Sequence, residues 1–195
     1  IVESVKKLEP RAANWMILKA FLNKEQGNFK EATDWYLKAA SAPLWPDPQL
    51  VAYSAQDLHQ MGRSKEALLV LDKFDAREKP VWYTGYFRGL ALTELKRYEE
   101  ARQYFRLALK KYPRGIEAID CLSKVDLLLK DYPAVLKDTD AVSAISGYRE
   151  HKVKIFADRG EACQALGRHD QAVLVLPWLR GQWIIQTMFP TIPIE

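Results

Sequence analysis

One phrase of sequence returns five times at nearly constant spacing, and nothing else in the chain restricts its fold as much. It opens on a small or polar residue, continues through an aromatic or polar position to Glu-Ala, and is followed four places on by an apolar residue. The phrase reads Gly27-Asn28-Phe29-Lys30-Glu31-Ala32 with Tyr36, then Gly62-Arg63-Ser64-Lys65-Glu66-Ala67 with Leu71. It returns as Lys96-Arg97-Tyr98-Glu99-Glu100-Ala101 with Phe105, and as Gly167-Arg168-His169-Asp170-Gln171-Ala172 with Leu176. A looser copy, Lys130-Asp131-Tyr132-Pro133-Ala134-Val135, lies between these two. The closing Ala or Val positions are 35, 34, 34 and 37 residues apart. Self-similarity at such a period marks stacked supersecondary units, because one unit cannot bury its apolar face alone.

A second column keeps the same phase twelve residues upstream: Ala20, Ala55, Gly89, Ser123 and Gly160, all small. Two small positions per unit, held at fixed separation across a turn, let two antiparallel helices approach closely while larger neighbours fill the grooves. Helical periodicity flanks both columns, with Leu90, Leu92 and Leu95 on one side of a turn and Ala101, Tyr104, Phe105, Ala108 and Leu109 on the other. The pattern predicts helix pairs over 11–25 and 28–41, 48–61 and 64–75, 80–95 and 98–111, 114–130 and 132–145, and 149–166 and 169–180. Pro43, Pro46 and Pro48 stiffen the connection at 42–48, Pro80 and Pro113 mark unit boundaries, and Pro133 falls in a first helical turn, where its missing N–H costs little.

This pattern resembles the tetratricopeptide repeat family, whose unit is a helix–turn–helix of about 34 residues with the same alternation of small and large sites. The clearest match runs from Gly85 to Pro113, through Gly89, Leu92, Tyr98, Ala101, Phe105 and Ala108. The resemblance implies an all-α fold: a right-handed superhelical solenoid of antiparallel helix pairs, about five units plus a partial N-terminal one, spanning 1–180. Departures exist. No unit keeps an intact Trp-Leu-Gly signature, and the fourth has Val135 and Thr139 where Ala and an aromatic are usual.

Composition excludes more than it names. Net charge is +4, from 29 basic and 25 acidic residues scattered along every segment, without the basic block a nucleic-acid surface needs. Lys110-Lys111, with Arg114 nearby, complements a helix C-terminus. Cys121 and Cys163 lack metal-ligand spacing, which favours a reducing, cytoplasmic setting, and Cys163 falls on an inward packing site. His59, His151 and His169 are whole helices apart and form no metalloprotease phrase. Glycines mark packing sites and turns rather than a phosphate loop. No enzyme class, metal or cofactor is expected, and no run is long and apolar enough to span a membrane.

In the family the first helix of each unit lines a concave groove that receives a peptide or a partner helix. Groove sites in phase with the small column are Asn14, Ile17, Phe21 and Lys24; Gln49, Ala52, Gln56 and His59; Tyr83, Tyr86, Leu90 and Thr93; Glu117, Asp120, Lys124 and Leu127; and Lys154, Ala157, Glu161 and Gln164. The expected contact set is Phe21, Gln56, Tyr83, Tyr86, Leu90, Glu117, Asp120 and Lys124. Tyrosine suits such a surface, combining large contact area with a hydrogen-bonding tip. The carboxylate clamp of chaperone-binding members is not reproduced, since its sites hold Ile17, Phe21, Tyr53, Tyr83 and Phe87.

Three readings of function follow. The first is a protein-interaction scaffold. The second is a regulatory or substrate-presenting module of a larger enzyme or of a secretion or assembly machine. The third is RNA binding, against which the acidic groove sites Glu117, Asp120 and Glu161 argue. The ends carry a further expectation. Val5 to Arg11 parallels Leu109 to Arg114, as though 1–9 closed a preceding unit of a longer array. After Pro177 the chain is almost wholly apolar, from Trp178 through Trp183, Ile184, Met188 and Phe189 to Ile194. An exposed run of that kind needs a cover, so 181–195 is expected to pack on the last repeat or on a partner, self-association included.

Overall fold

The computed structural model describes residues 13–43, 47–79 and 81–168. Residues 1–9, the helix expected at 169–180 with His169 and Ala172, and the apolar segment 181–195 lie outside them. Among the described residues the chain forms nine α-helices and no strand. They are α1 (Ala13–Glu25), α2 (Phe29–Ala39), α3 (Pro48–Gln60), α4 (Ser64–Asp75), α5 (Trp82–Glu94), α6 (Tyr98–Lys111), α7 (Ile116–Leu128), α8 (Tyr132–Asp138) and α9 (Arg149–Ala165). This is a helical repeat solenoid. It divides into two compact units, the first ending at Lys111 and the second beginning at Tyr112.

Every turn inside a repeat is closed the same way. Gly27, Gly62, Lys96, Lys130 and Gly167, the opening residues of the five phrases, all have positive φ. Each donates its N–H to the carbonyl three residues back, and the next residue donates to the carbonyl five back. In the first repeat these are Gly27 to Lys24 O and Asn28 to Asn23 O, both 2.9 Å. This left-handed cap satisfies carbonyls that a helix end leaves orphaned. Lys96 and Lys130, at φ 60° and 58°, hold the conformation without glycine's freedom.

In the first unit α1 pairs with α2, α3 with α4 and α5 with α6, and α5 also packs on both α3 and α4. The small columns sit where the helices meet: Ala20, Ala32, Ala55, Ala67, Gly89 and Ala101 are all buried. The residues four places after each Ala, Tyr36, Leu71 and Phe105, are among the largest fully buried side chains. Packing at Gly89 is tightest, for a Cβ there would lie 2.5 Å from the Phe105 ring. Asp47 starts α3 by accepting the Gln49 N–H at 2.7 Å, with Pro48 at its first position. Buried Arg88 on α5 ties back to α4, donating to Asp72 and, at 2.8 Å, to Asp75, with the Tyr104 ring of α6 5.1 Å away.

In the second unit α7 packs on α8, and α9 packs on both. Ser123 and Gly160 continue the first small column, and Val135 the second, all buried. Asp131 caps α8 through the Ala134 N–H at 3.2 Å. The helix expected over 132–145 stops at Asp138 and continues as a 3₁₀ turn over Asp140–Ala144. Two contacts explain the break. The Leu136 carbonyl, which a continuing helix would use, accepts from Arg159 Nη1 at 2.7 Å. The Thr139 hydroxyl turns back to the Val135 carbonyl at 2.6 Å, a local bond that competes with the helix.

Candidate functional site

Between α1 and α3 the first unit opens a cleft of about 490 Å³. Helix α1 supplies Asn14, Ile17, Leu18, Phe21 and Lys24, and α3 supplies Leu50, Tyr53, Ser54, Gln56, Asp57 and Gln60. Phe21 and Tyr53 are 43% and 49% exposed, large rings left in water on opposite walls. Gln49 reaches the Tyr53 hydroxyl at 3.0 Å and steadies that ring.

The polar part of the cleft is a closed triad. Lys24 Nζ donates to Asp57 at 2.7 Å, and the hydroxyl of buried Tyr36 on α2 donates to the other carboxylate oxygen. The Asp57 bond holds the Lys24 ammonium above its ordinary range. Burial, and then the bond to Asp57, raises the Tyr36 phenol as well, so it stays protonated as a donor. Lys24 and Asp57 are the charged residues lining the cleft, and they neutralise each other. An apolar, aromatic-walled cleft with a neutral floor and amide groups from Asn14, Gln56 and Gln60 suits an uncharged peptide segment. Apolar side chains can be buried there while amides meet its backbone.

The structure brings Phe21 and Gln56 into this cleft. It places Tyr83, Tyr86 and Leu90 on α5, all half-buried and none lining the cleft. Burial raises the Tyr83 phenol, with Asp47 adding to the effect. Tyr83 meets the exposed Trp82 edge-on at 5.6 Å, while Tyr86 meets Phe87 at 5.2 Å and the core ring Phe105 at 6.1 Å. Glu117, Asp120 and Lys124 stand on α7 in the second unit. There Asp120 lies 2.7 Å from His151 Nδ1, and Lys124 is exposed.

Three expected groove sites are corrected: Ala52, Leu127 and Ala157 are 2%, 8% and 8% exposed, inside the packing. Repeat phase gives both helices the same offsets, whereas a cleft between neighbours is lined by their facing flanks. All four α1 sites therefore line it, while on α3 the lining moves to Leu50, Tyr53, Asp57 and Gln60 beside Gln56. Tyr53, at a clamp-equivalent site but outside the expected contact set, is the principal addition. Its position two before the small residue Ala55 was the available signal.

Elsewhere, Ser64, His59 and Glu94 form a hydrogen-bonded cluster at the start of α4, with His59 Nδ1 3.2 Å from Ser64 Oγ and 2.9 Å from Glu94. Both contacts fall on one ring nitrogen, so the cluster anchors a helix start rather than relaying a proton from serine to acid. Among the described residues no group of His, Cys, Asp and Glu converges as metal ligands, and no helix is long and apolar enough to cross a membrane.

Residues 86–114, covering most of α5 and all of α6, match the tetratricopeptide repeat family. The chain therefore carries a tetratricopeptide repeat over those residues. None of the curated proteins matches it. Solved tetratricopeptide structures share its fold. MamA superposes with a TM-score of 0.72 at 16% identity, covering 94% of this chain and 98% of MamA. YrrB, a tetratricopeptide protein with an unusual peptide-binding site, gives 0.70 at 17%, covering 97% and 93%. PilW, a widely conserved type IV pilus biogenesis factor, gives 0.66 at 17%, covering 95% and 86%. A tetratricopeptide array is a protein-interaction repeat module, of a family whose members are typically non-catalytic scaffolds.

Proposed function

We propose that this chain holds a partner protein by an uncharged, apolar peptide segment seated in the cleft between α1 and α3. The observation that carries the reading is the pair of exposed rings, Phe21 and Tyr53, facing a cleft whose charges, Lys24 and Asp57, are already matched. Large rings beside a desolvated floor are what binding hot spots are made of. YrrB's peptide-binding site lends the reading support by fold alone. Tyr83, Tyr86 and Leu90 on α5 form a secondary contact in this proposal. The array belongs to a larger protein or assembly and works in a reducing, cytoplasmic compartment.

The test is a peptide display library selected on the intact chain, followed by titration of the recovered peptides against variants. Phe21→Ala with Tyr53→Ala should cost at least ~2 kcal/mol, about thirtyfold in Kd, while Leu69→Ala, on an exposed stretch of α4, changes nothing. Equal affinity for the double variant and the parent refutes the proposal.

A further inference from the structure

The fifth repeat carries an acid where the other repeats carry uncharged side chains. Two positions before the small column stand Leu18, Tyr53, Phe87 and Cys121 in the first four repeats, and Asp158 in the fifth. Asp158 is only 9% exposed, and its Oδ2 accepts a 2.7 Å hydrogen bond from Ser123 Oγ on α7. Ser123 is itself the one hydroxyl in a column otherwise made of Ala and Gly. Two separate departures from the repeat pattern therefore meet in one contact.

Among the described residues the hydrogen bond to Asp158 is the one from Ser123, whereas an ionised carboxylate has room for about four. From α7 the charged groups acting on it are Lys124 and Asp120, and from α9 itself Glu161, two acids against one base. Asp120 lies 2.7 Å from His151 Nδ1, a second polar contact between the same two helices. Toward α8 the neighbouring side chain, Arg159, is committed to the Leu136 carbonyl, the Thr139 hydroxyl and, at 3.2 Å, Asp140. Asp126 on α7 and Lys152 on α9 are buried in the same unit, each already engaged.

We propose that the α7–α9 contact is a proton-sensitive joint, tightened when the Ser123–Asp158 pair takes up a proton in mild acid and loosened when it loses that proton. Burial pushes the Asp158 carboxyl up to about 6, against the opposing pull of Ser123 and Lys124. An aspartate in an unfolded chain ionises near 4. Between those values the folded state holds more protons, so stability from this group is gained as pH falls through about 6 and lost as it rises above. That is opposite in sign to a salt-bridged carboxylate. Exposed Lys154, Glu161 and Gln164 ride on α9, so the surface they present responds to the acidity of its surroundings.

Amide hydrogen exchange on the intact chain tests this, with rates corrected for intrinsic pH dependence and α5–α6 as internal reference. From about pH 7.5 to pH 5 the parent should gain about tenfold in protection in α7 and α9 relative to the reference. Asp158→Asn should be well protected at both pH values, with the ratio collapsing to near one. Ser123→Ala, which strips the carboxylate of its donor, should enlarge the ratio. A parent ratio no greater in α7 and α9 than in α5 and α6, or an Asp158→Asn variant that keeps the parent's ratio, overturns the proposal.

Discussion

Two glycines one helical turn apart on α5 should respond with opposite sign to the same substitution. At Gly89 a Cβ would lie 2.5, 2.7 and 2.8 Å from three atoms of the Phe105 ring. At Gly85 the nearest atoms would be the Tyr104 carbonyl at 3.5 Å and the Ala108 Cβ at 3.7 Å, ordinary contact distances. Gly→Ala in a helix interior gains about 1 kcal/mol from backbone entropy, so Gly85→Ala should stabilise by most of that. At Gly89 the same gain is offset by overpacking of about 1–3 kcal/mol, because the Phe105 ring is fully buried and must retreat by roughly 1 Å from normal contact. Gly89→Ala should therefore destabilise by about 1 kcal/mol net, and Gly89→Leu by about 3. Phe105→Leu should relieve the clash, giving Gly89→Ala with Phe105→Leu a favourable coupling of at least ~1 kcal/mol. Urea unfolding followed by circular dichroism reads all of these. If Gly85→Ala and Gly89→Ala shift the midpoint in the same direction, the close approach of α5 and α6 is not what holds this repeat together.

The remaining predictions concern turns and ties. Lys96→Gly and Lys130→Gly should each stabilise by about 1 kcal/mol, since both lysines hold a left-handed backbone; thermal melts check this, and no gain would mean the side chains compensate. Asp57→Ala should destabilise by about 1–3 kcal/mol, because it strands the hydroxyl of buried Tyr36 and leaves Lys24 with Glu25 alone, at 3.5 Å; denaturant titration at neutral pH measures the loss. Arg159→Ala should weaken the second unit by a similar amount by freeing the Leu136 carbonyl, seen as faster exchange of α8 amides.

How much of this was legible in the sequence depended on whether a repeat keeps its own rule. Ala20, Ala55, Ala32 and Ala67 were readable as contact points because smallness at a fixed phase has one use, and all are buried. The turn position was readable as glycine in Gly27, Gly62 and Gly167, but Lys96 and Lys130 hide it, since the left-handed cap is set by backbone bonds that any residue can be forced to make. The helix expected to reach 145 could not be corrected from local pattern, because Arg159, some twenty residues away, takes the Leu136 carbonyl. Phase puts Phe21 and Gln56 in the expected contact set and both line the α1–α3 cleft, whereas Tyr53 required knowing which flank of α3 faces α1. Asp158 stood in plain view as an acid in a column of uncharged residues, but its meaning depends on Ser123 lying against it.

A crystal structure of the chain with a library-selected peptide tests the central claim most directly. The account predicts an extended or helical segment lying between α1 and α3, with an apolar side chain between Phe21 and Tyr53 and the Lys24–Asp57 bond intact. A peptide seated instead against α2, α4 or α6, with both rings still in water, would contradict it.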